Sequence, residues 1–340
     1  MNVLSLFSGV GGADLGLERA GMTIIGQCEV NASARKILER HWPDVPLSED
    51  ITQLDEDWLL SHGIATRNHP AEGKTVDLVV GGFPCQDLSI AGKRKGLEGA
   101  RSGLFHDAVR IANLVLRPGG WLLIENVPGL LSSNGGRDFA IVLASLADLG
   151  FYDLAWRVLD SRYFGVPQRR RRVFIVARRS GGDRAKQVLL EPESGGGNFA
   201  PGQETGPGSA GTFGESLAGT LGGRNRGDEL DRHGAYVGGG QVTAKCLTTS
   251  QERQDFDTQD FVHPGLRSDQ SSVRRLAPTE CERLQGFPDG WTIPDGTDWR
   301  EYPRPDGPRY AQMGNAVTVP VAEWIGQRIL DQNRKGDQTK

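Results

Sequence analysis

The sequence predicts an α/β protein in which parallel strands form a central sheet and helices cover both of its faces. Two observations support this fold class. Within residues 1–180, short runs rich in Val, Ile and Leu alternate with amphipathic segments of helical length. The apolar runs are nearly continuous, which is typical of strands buried on both faces. In such sheets ligands bind beyond the carboxyl ends of the strands, so residues that follow a strand are the candidates for function.

The apolar runs and the helical periodicity set the order of the elements. Strands are expected at 2–7, 23–29, 76–82, 121–126, 152–159 and 172–177. Helices are expected at 12–21, 31–42, 103–117, 138–150, 278–288 and 315–332. From these we predict a first domain at 1–180, a glycine-rich and loop-rich region at 181–272, and closing segments at 273–340, whose last helix packs back on the first domain.

Composition limits the class of protein. The chain has 340 residues, 37% of them hydrophobic, which is enough for one sizeable core and a smaller lobe. We expect no membrane span, no signal peptide and a cytoplasmic location, because no apolar run reaches roughly 18 residues and no basic leader opens the chain. Its four cysteines form no metal-binding spacing, so we expect reduced thiols and no metal. The net charge of −4 does not favour nucleic acid, but the run "QRRRRVF" at 168–174 is locally basic.

The first strand ends in "LFSGVGGADLGLERAG". Gly9, Gly11 and Gly12 allow a tight turn into a helix and a close approach of the backbone to a ligand. The second strand ends at Glu29, where a carboxylate would accept hydrogen bonds from ribose hydroxyls, and Asp50 offers a third contact. Taken singly, an unliganded turn and solvated carboxylates remain alternatives.

The strand "VDLVVGG" leads into "GGFPCQDLSIAGKRKG" at 81–96. Pro84 makes the entry to this loop rigid, because its ring fixes φ and restricts the residue before it. A Cys85 thiolate would be a nucleophile, and the basic groups of Lys93, Arg94 and Lys95 would favour its charged form. A small buried core cysteine is the alternative.

The segment "IENV" at 124–127 places Glu125 directly after an apolar strand. A carboxylate there is costly to bury without a partner. The run "GVPQRRRRVF" at 165–174 supplies such partners. Because alternate residues of an extended segment face the same side, Arg170 and Arg172 are expected to share one face. For this run alone, a solvated basic strand is the alternative.

Together, in this order, the segments resemble the DNA (cytosine-5) methyltransferases over nearly the whole chain. The resemblance also includes "RRLAPTECERLQGFPDGW" at 274–291 and "QMGNAVTVPVAEWI" at 312–325. The Phe-Pro-Cys-Gln and Glu-Asn-Val elements at this spacing are highly specific. The resemblance implies a Rossmann-like, S-adenosylmethionine-dependent methyltransferase sheet with a smaller, loop-rich target-recognition domain at 181–272.

By this resemblance, Cys85 would attack C6 of a cytosine that is flipped out of duplex DNA, so that C5 accepts a methyl group. Glu125 would hold the N3/N4 edge of the base. Arg172 would bind its O2 and steady Glu125, with Arg170 in the same catalytic group. The cofactor would be S-adenosylmethionine, contacted by Phe7, Gly9, Gly11, Gly12, Glu29, Val30, Asp50, Ile51, Pro84, Asn315 and Val317. Two positions depart from the family pattern: Ser5 stands where Asp is common, and Ala316 where Ser is common.

The resemblance implies double-stranded DNA as the partner, with a cognate restriction endonuclease, no membrane and a monomeric enzyme. DNA contacts are expected from Gln86, Ser89, Lys93, Arg94 and Lys95 in the loop, and from Arg224, Arg226 and Arg253 in the recognition region, where plain surface charge is the alternative. Three other functions are considered: a transfer-RNA cytosine-5 methyltransferase, a non-catalytic DNA-binding regulator and a nicotinamide oxidoreductase. A recognition region of about ninety residues favours duplex DNA. The regulator leaves an intact catalytic set unexplained, and the oxidoreductase rests on the glycine turn alone.

Overall fold

The computed structural model describes residues 1–65, 76–84, 103–179, 182–190, 210–212, 276–294 and 306–337. In these residues one sheet of eight strands has the order β3-β2-β1-β4-β5-β7-β6-β8. The strands are β1 (Asn2–Leu6), β2 (Thr23–Cys28), β3 (Leu47–Ser48), β4 (Val76–Gly81), β5 (Leu116–Asn126), β6 (Asp153–Asp160), β7 (Arg171–Arg178) and β8 (Ala210–Thr212).

Helices cover both faces of the sheet, as expected from the apolar strands. They are α1 (Gly12–Arg19), α2 (Ala32–His41), α3 (Glu56–Ser61), α4 (Gly103–Val115), α5 (Arg137–Asp148), α6 (Arg184–Leu189), α7 (Pro278–Gln285), α8 (Gly307–Asn315) and α9 (Val319–Asp337). One core cluster includes Val109 of α4 and Val142 of α5. The cluster on the other face includes Leu17 of α1, Val188 of α6 and Ile325 of α9. The α/β fold class is thereby confirmed.

The sheet is mixed, so the expectation of a parallel sheet is right for only one half of it. Strands β3, β2, β1, β4 and β5 run parallel to one another. Strand β7 is antiparallel to both β5 and β6, and β6 is antiparallel to β8. The physical reason is the short connection over 161–170 between β6 and β7, because antiparallel neighbours need no crossover helix.

The six expected strands are all present, with β5 beginning earlier, at Leu116. The helix expected at 315–332 begins only at Val319, because Ala316 has extended backbone (φ −62°, ψ 143°) and ends α8. The expectation missed β3, α3, α6 and β8, which are too short to show a period, and it also missed the nine-residue helix α8.

The C-terminal helix α9 packs along α1. A Cβ atom built on Gly16 would lie 2.6 Å from Cβ of Ala322, and one on Gly326 would lie 2.9 Å from Cδ2 of Leu17. The two glycines therefore let the helices approach closely. No helix among the described residues is long and apolar enough to span a membrane.

Two described pieces of the region 181–272 belong to the same body as the sheet. Val188 and Leu189 of α6 lie in the core cluster with α9, and β8 extends the sheet beyond β6. The rest of that region lies outside the described residues. The domain that contains the sheet therefore continues past residue 180, at least through α6.

Candidate active site

The turn after β1 has unusual backbone geometry. Phe7 has a φ of 54°, in the left-handed region that non-glycine residues rarely adopt, and Gly9 and Gly11 have φ values of 57° and 80°. A Cβ on Gly11 would lie 2.3 Å from the Trp42 ring, and one on Gly12 would lie 2.3 Å from the carbonyl oxygen of Val317. The turn is thus strained and packed on both sides, as is common at functional sites.

Glu29 is held against this turn. Its carboxylate accepts hydrogen bonds from the backbone amides of Gly9 (2.8 Å) and Asn31 (2.7 Å). Asp50 is oriented in a similar way, because its Oδ1 accepts from the amide and the hydroxyl of Thr52. Fixed carboxylate oxygens beside a left-handed turn suit the diol and amino groups of a nucleoside.

Two apolar residues complete this edge. Val30 has 74% of its surface exposed, and Ile51 is buried in the core. Exposed Val30 thus offers a flat apolar contact to an adenine ring, while Ile51 is left to contact a ligand through its backbone. The donors and acceptors here fit S-adenosylmethionine.

The central pair is Glu125 and Arg172. Glu125 lies near the end of β5, and Nε of Arg172 lies 2.9 Å from its Oε1. Both side chains are mostly buried, with exposed fractions of 14% and 18%. Burial raises the pKa of the Glu125 carboxyl, and the positive charges of Arg172 and Arg170 offset only part of this shift.

The ends of β4 and β5 are tied together beneath this pair. Nδ2 of Asn126 donates a 3.1 Å hydrogen bond to the carbonyl oxygen of Phe83, the residue before Pro84. A Cβ on Gly82 would lie 2.9 Å from Oε2 of Glu125, so only glycine leaves room for that carboxylate. The segment that leads to Cys85 is therefore anchored to the strand that carries Glu125.

Arg170 differs from the expectation. It precedes β7, and its guanidinium donates to the carbonyl oxygens of Gly314 (3.0 Å) and Ala316 (2.9 Å). It thus binds the segment that connects α8 and α9, while Arg172 forms the ion pair with Glu125. The alternation expected of this run is nevertheless present, because Arg169 and Arg171 are exposed whereas Arg170 is buried and Arg172 is mostly buried.

A cavity that is open to solvent joins these parts. Among its lining residues are Phe7 from the turn, Gly82 after β4, Glu125 and Val317. Asn315 is exposed at the end of α8, two residues before Val317. The structure thus brings the predicted cofactor turn, the carboxylate and the α8–α9 connection to one cavity at the carboxyl edge of the sheet.

Two of the four cysteines lie in the core. Cys28 and Cys281 are buried, and burial raises the pKa of each thiol to about 12. A thiol with such a pKa stays protonated at neutral pH and is a poor nucleophile. Cys28 and Cys281 are therefore small buried core cysteines and not candidate nucleophiles.

Several predicted site residues lie outside the described residues. They are Cys85, Gln86, Ser89, Lys93, Arg94, Lys95, Arg224, Arg226 and Arg253. Pro84, the last described residue before them, is exposed.

The sequence analysis missed two buried polar clusters. Under the cofactor turn, Asp14 accepts hydrogen bonds from Ser5 and Gln27. Under the α8–α9 connection, Thr318 bonds to Ser161 and Gln285. The available signal was the presence of polar residues, Ser5 and Gln27, inside otherwise apolar strands.

Comparison with known proteins gives a consistent result. The family model for C-5 cytosine-specific DNA methylases matches residues 1–195 and 214–331. The Type II methyltransferase M2.BsuMI of Bacillus subtilis (strain 168) is 33% identical over 340 residues, which cover 97% of this chain and 75% of that protein. The Type II methyltransferase M.Eco47II of Escherichia coli is 30% identical over 362 residues, covering 96% of this chain and 78% of that protein.

Among solved structures, the Entamoeba histolytica methyltransferase EhMeth superimposes with a TM-score of 0.62. The superposition covers 98% of each chain at 18% sequence identity. At this identity the likeness concerns the fold alone.

Proposed function

The chain belongs to the family of C-5 cytosine-specific DNA methylases, and from this we propose that Glu125 and Arg172 hold the target cytosine while Cys85 attacks it. As a member of this family, the protein is a DNA (cytosine-5) methyltransferase that uses S-adenosylmethionine. The observation that carries the residue assignment is the ion pair of 2.9 Å between Arg172 and Glu125 at the cavity shared with the cofactor turn.

The cofactor would lie between the turn after β1 and the α8–α9 connection. When bound, S-adenosylmethionine supplies an electrophilic methyl group. Glu29 would accept hydrogen bonds from its ribose, and Asp50 with the Ile51 backbone would bind the adenine, which Val30 covers. Phe7, Gly9, Gly11, Gly12, Pro84, Asn315 and Val317 would contact the remainder.

Glu125 would donate a proton or hydrogen bond to N3 of the cytosine. Its raised pKa supports this role, because burial favours the protonated carboxyl. Arg172 would bind O2 of the base and keep the carboxyl in place through the ion pair. Protonation at N3 withdraws electrons from the ring and so makes C6 more electrophilic.

Cys85 would act as the nucleophile. Its thiolate adds to C6, which makes C5 electron-rich enough to accept the methyl group. A water molecule then accepts the C5 proton, the electrons of the C5–H bond restore the C5=C6 double bond, and the C6–S bond breaks to release the Cys85 thiolate. The anchored backbone of Phe83, two residues earlier, supports a fixed starting point for the loop that carries Cys85.

The cytosine must leave the stack, because C5 and C6 are covered in a duplex. We propose that residues 191–272 read the target sequence and that the loop around Lys93, Arg94 and Lys95 contacts phosphates. The names of the curated relatives support a pairing with a restriction endonuclease. We place the enzyme with DNA in the cytoplasm and expect it to act as a monomer.

Bisulfite sequencing of plasmid DNA from a host without cytosine methylation tests the activity. With the gene present, cytosines in one short motif should be protected. Cys85→Ser should abolish protection, while the matched substitution Cys281→Ser, at a core cysteine that does not line the cavity, should retain it in protein that folds. If cytosines are still protected in cells that express Cys85→Ser, Cys85 is not the nucleophile. Absence of protection by soluble protein that binds S-adenosylmethionine would favour RNA as the substrate, and absence of both would favour a regulator.

A further inference from the structure

A buried carboxylate lies directly behind the cofactor cavity. Asp14, in the first turn of α1, has no exposed surface. Its Oδ2 accepts a 3.0 Å hydrogen bond from Oγ of Ser5, and its Oδ1 accepts a 2.8 Å bond from Nε2 of Gln27. The residue therefore connects α1 with the two strands that lead to the cofactor turn and to Glu29.

A chain of hydroxyl groups connects this carboxylate to the cavity. Ser8 donates through Oγ to Oγ of Ser5 at 2.9 Å, and Ser5 donates in turn to Asp14. Ser5, Ser8 and Ala13 line the cavity together with Phe7. Asp14 thus lies one side chain away from the space that the cofactor would occupy.

Among the described residues, no positively charged side chain acts on the Asp14 carboxylate. The groups that act on its pKa are the side chains of Gln27 and Ser5, its own backbone amide and the like charge of Glu18. Burial raises the pKa of Asp14 to about 6, so ionisation is costly. A buried charge of this kind is usually paired, and a cation in the cavity would pair it.

We propose that Asp14 is a positioning residue that favours the positively charged cofactor over its neutral thioether product. The cofactor carries a sulfonium centre, and S-adenosylhomocysteine does not. A negative charge behind Ser5 stabilises the sulfonium form selectively and assists exchange of product for fresh cofactor. The inference rests on the cofactor site proposed above.

The test is the ratio of the affinities for S-adenosylmethionine and S-adenosylhomocysteine, measured by calorimetry with the full chain. Asp14→Asn should lower affinity for the sulfonium ligand at least about tenfold, because loss of one charge at an effective dielectric constant of about 20 changes an affinity about tenfold at a separation of roughly 12 Å and more at shorter separations. Affinity for the thioether should change less than about twofold. The matched control is Asp138→Asn. Asp138 is also a buried carboxylate in the first turn of a helix, and it also accepts a hydrogen bond from a serine, Ser133. It should leave both affinities unchanged.

Equal losses for both ligands, or no loss for either, would overturn the proposal. If Asp14→Asn does not fold, two double variants answer the same question. Ser5→Asp with Asp14→Ser keeps a carboxylate in the cluster and should keep the wild-type ratio, whereas Ser5→Asn with Asp14→Ser should lose it. Equal ratios in this pair would also overturn the proposal. The cofactor site itself is tested separately: the wild-type protein should bind S-adenosylmethionine, and Glu29→Ala should lose this binding. A wild-type protein that does not bind it would reject the cofactor site rather than the role of Asp14.

Discussion

Arg170 donates through Nη2 to the carbonyl oxygen of Ala316 at 2.9 Å, although 146 residues separate them. With the parallel bond to Gly314, the guanidinium holds the backbone on both sides of Asn315. Two carbonyl groups are thereby satisfied by a single buried side chain. The arginine segment therefore does two separate tasks, one at Glu125 through Arg172 and one at the α8–α9 connection through Arg170.

Exchanging Arg170 for lysine should damage the cofactor site. A lysine ammonium is a point charge and cannot span both carbonyls as the planar guanidinium does. We expect Arg170→Lys to lower the free energy of unfolding by about 2 kcal/mol, because buried hydrogen bonds to charged groups are worth about 1.5–3 kcal/mol. Urea unfolding and calorimetry with S-adenosylmethionine measure both effects. Arg171→Lys, an exposed neighbour, is the control, and identical behaviour of the two variants would contradict the assignment.

The close approach at Gly12 gives a second prediction. A methyl group there would lie 2.3 Å from the carbonyl oxygen of Val317, so the turn and the α8–α9 connection must separate. Gly12→Ala should therefore cost about 1–3 kcal/mol of stability, as overpacking does, and weaken cofactor binding more than about tenfold. Gly307→Ala is the control, because a Cβ there meets no atom within 4 Å. Normal binding by Gly12→Ala would show that the two segments move apart freely.

The proton of Glu125 gives a third prediction. Glu125→Gln should lower kcat by roughly 10²–10⁴-fold, the range of general acid catalysis, with little loss of DNA affinity. Because burial raises the pKa of Glu125, wild-type kcat should fall as the pH rises through that pKa. The kcat of the variant should not show this fall. Single-turnover methylation over a pH series measures it. Glu39→Gln, on the exposed face of α2, should behave as wild type. An unchanged pH profile would show that another group titrates.

A fourth prediction concerns stability and pH. Burial raises the pKa of Asp14 to about 6 in the folded protein, from its ordinary value of 3.8. Because the folded value is the higher one, stability is full below the unfolded pKa and is lost as the pH rises through about 6. Between about pH 4.5 and about pH 7.5 this residue should cost about 2 kcal/mol.

Asp14→Asn should remove this pH dependence and be more stable than wild type at neutral pH. Urea titrations at both pH values measure it, with Asp138→Asn as the control. Together with the weaker cofactor binding expected of the same variant, this result would separate a functional carboxylate from a structural one. A variant that is less stable at neutral pH would contradict the assigned pKa.

Much of this site was predictable from sequence, and the reasons for the exceptions are physical. The positions of Phe7, Glu29 and Glu125 follow from the rule that function lies after parallel strands, and the family resemblance added their roles. The alternation of the arginine run was predictable, but the carbonyl partners of Arg170 were not, because they lie 144 and 146 residues further along the chain. The antiparallel direction of β7 was also not predictable, because parallel and antiparallel strands buried on both faces have the same apolar sequence pattern. The sequence gives no sign that Asp14 is buried, because only tertiary packing removes a carboxylate in the first turn of α1 from solvent.

The contact between Gly12 and Val317 also has a consequence for biosynthesis. Roughly 300 residues separate the two halves of the proposed cofactor site, so the ribosome makes the second half on the order of 15 to 60 s after the first. Until then the nascent chain has the glycine turn but lacks the backbone of Val317 that packs against it. We therefore expect a nascent chain to bind the methyl donor only after the α8–α9 connection has been made.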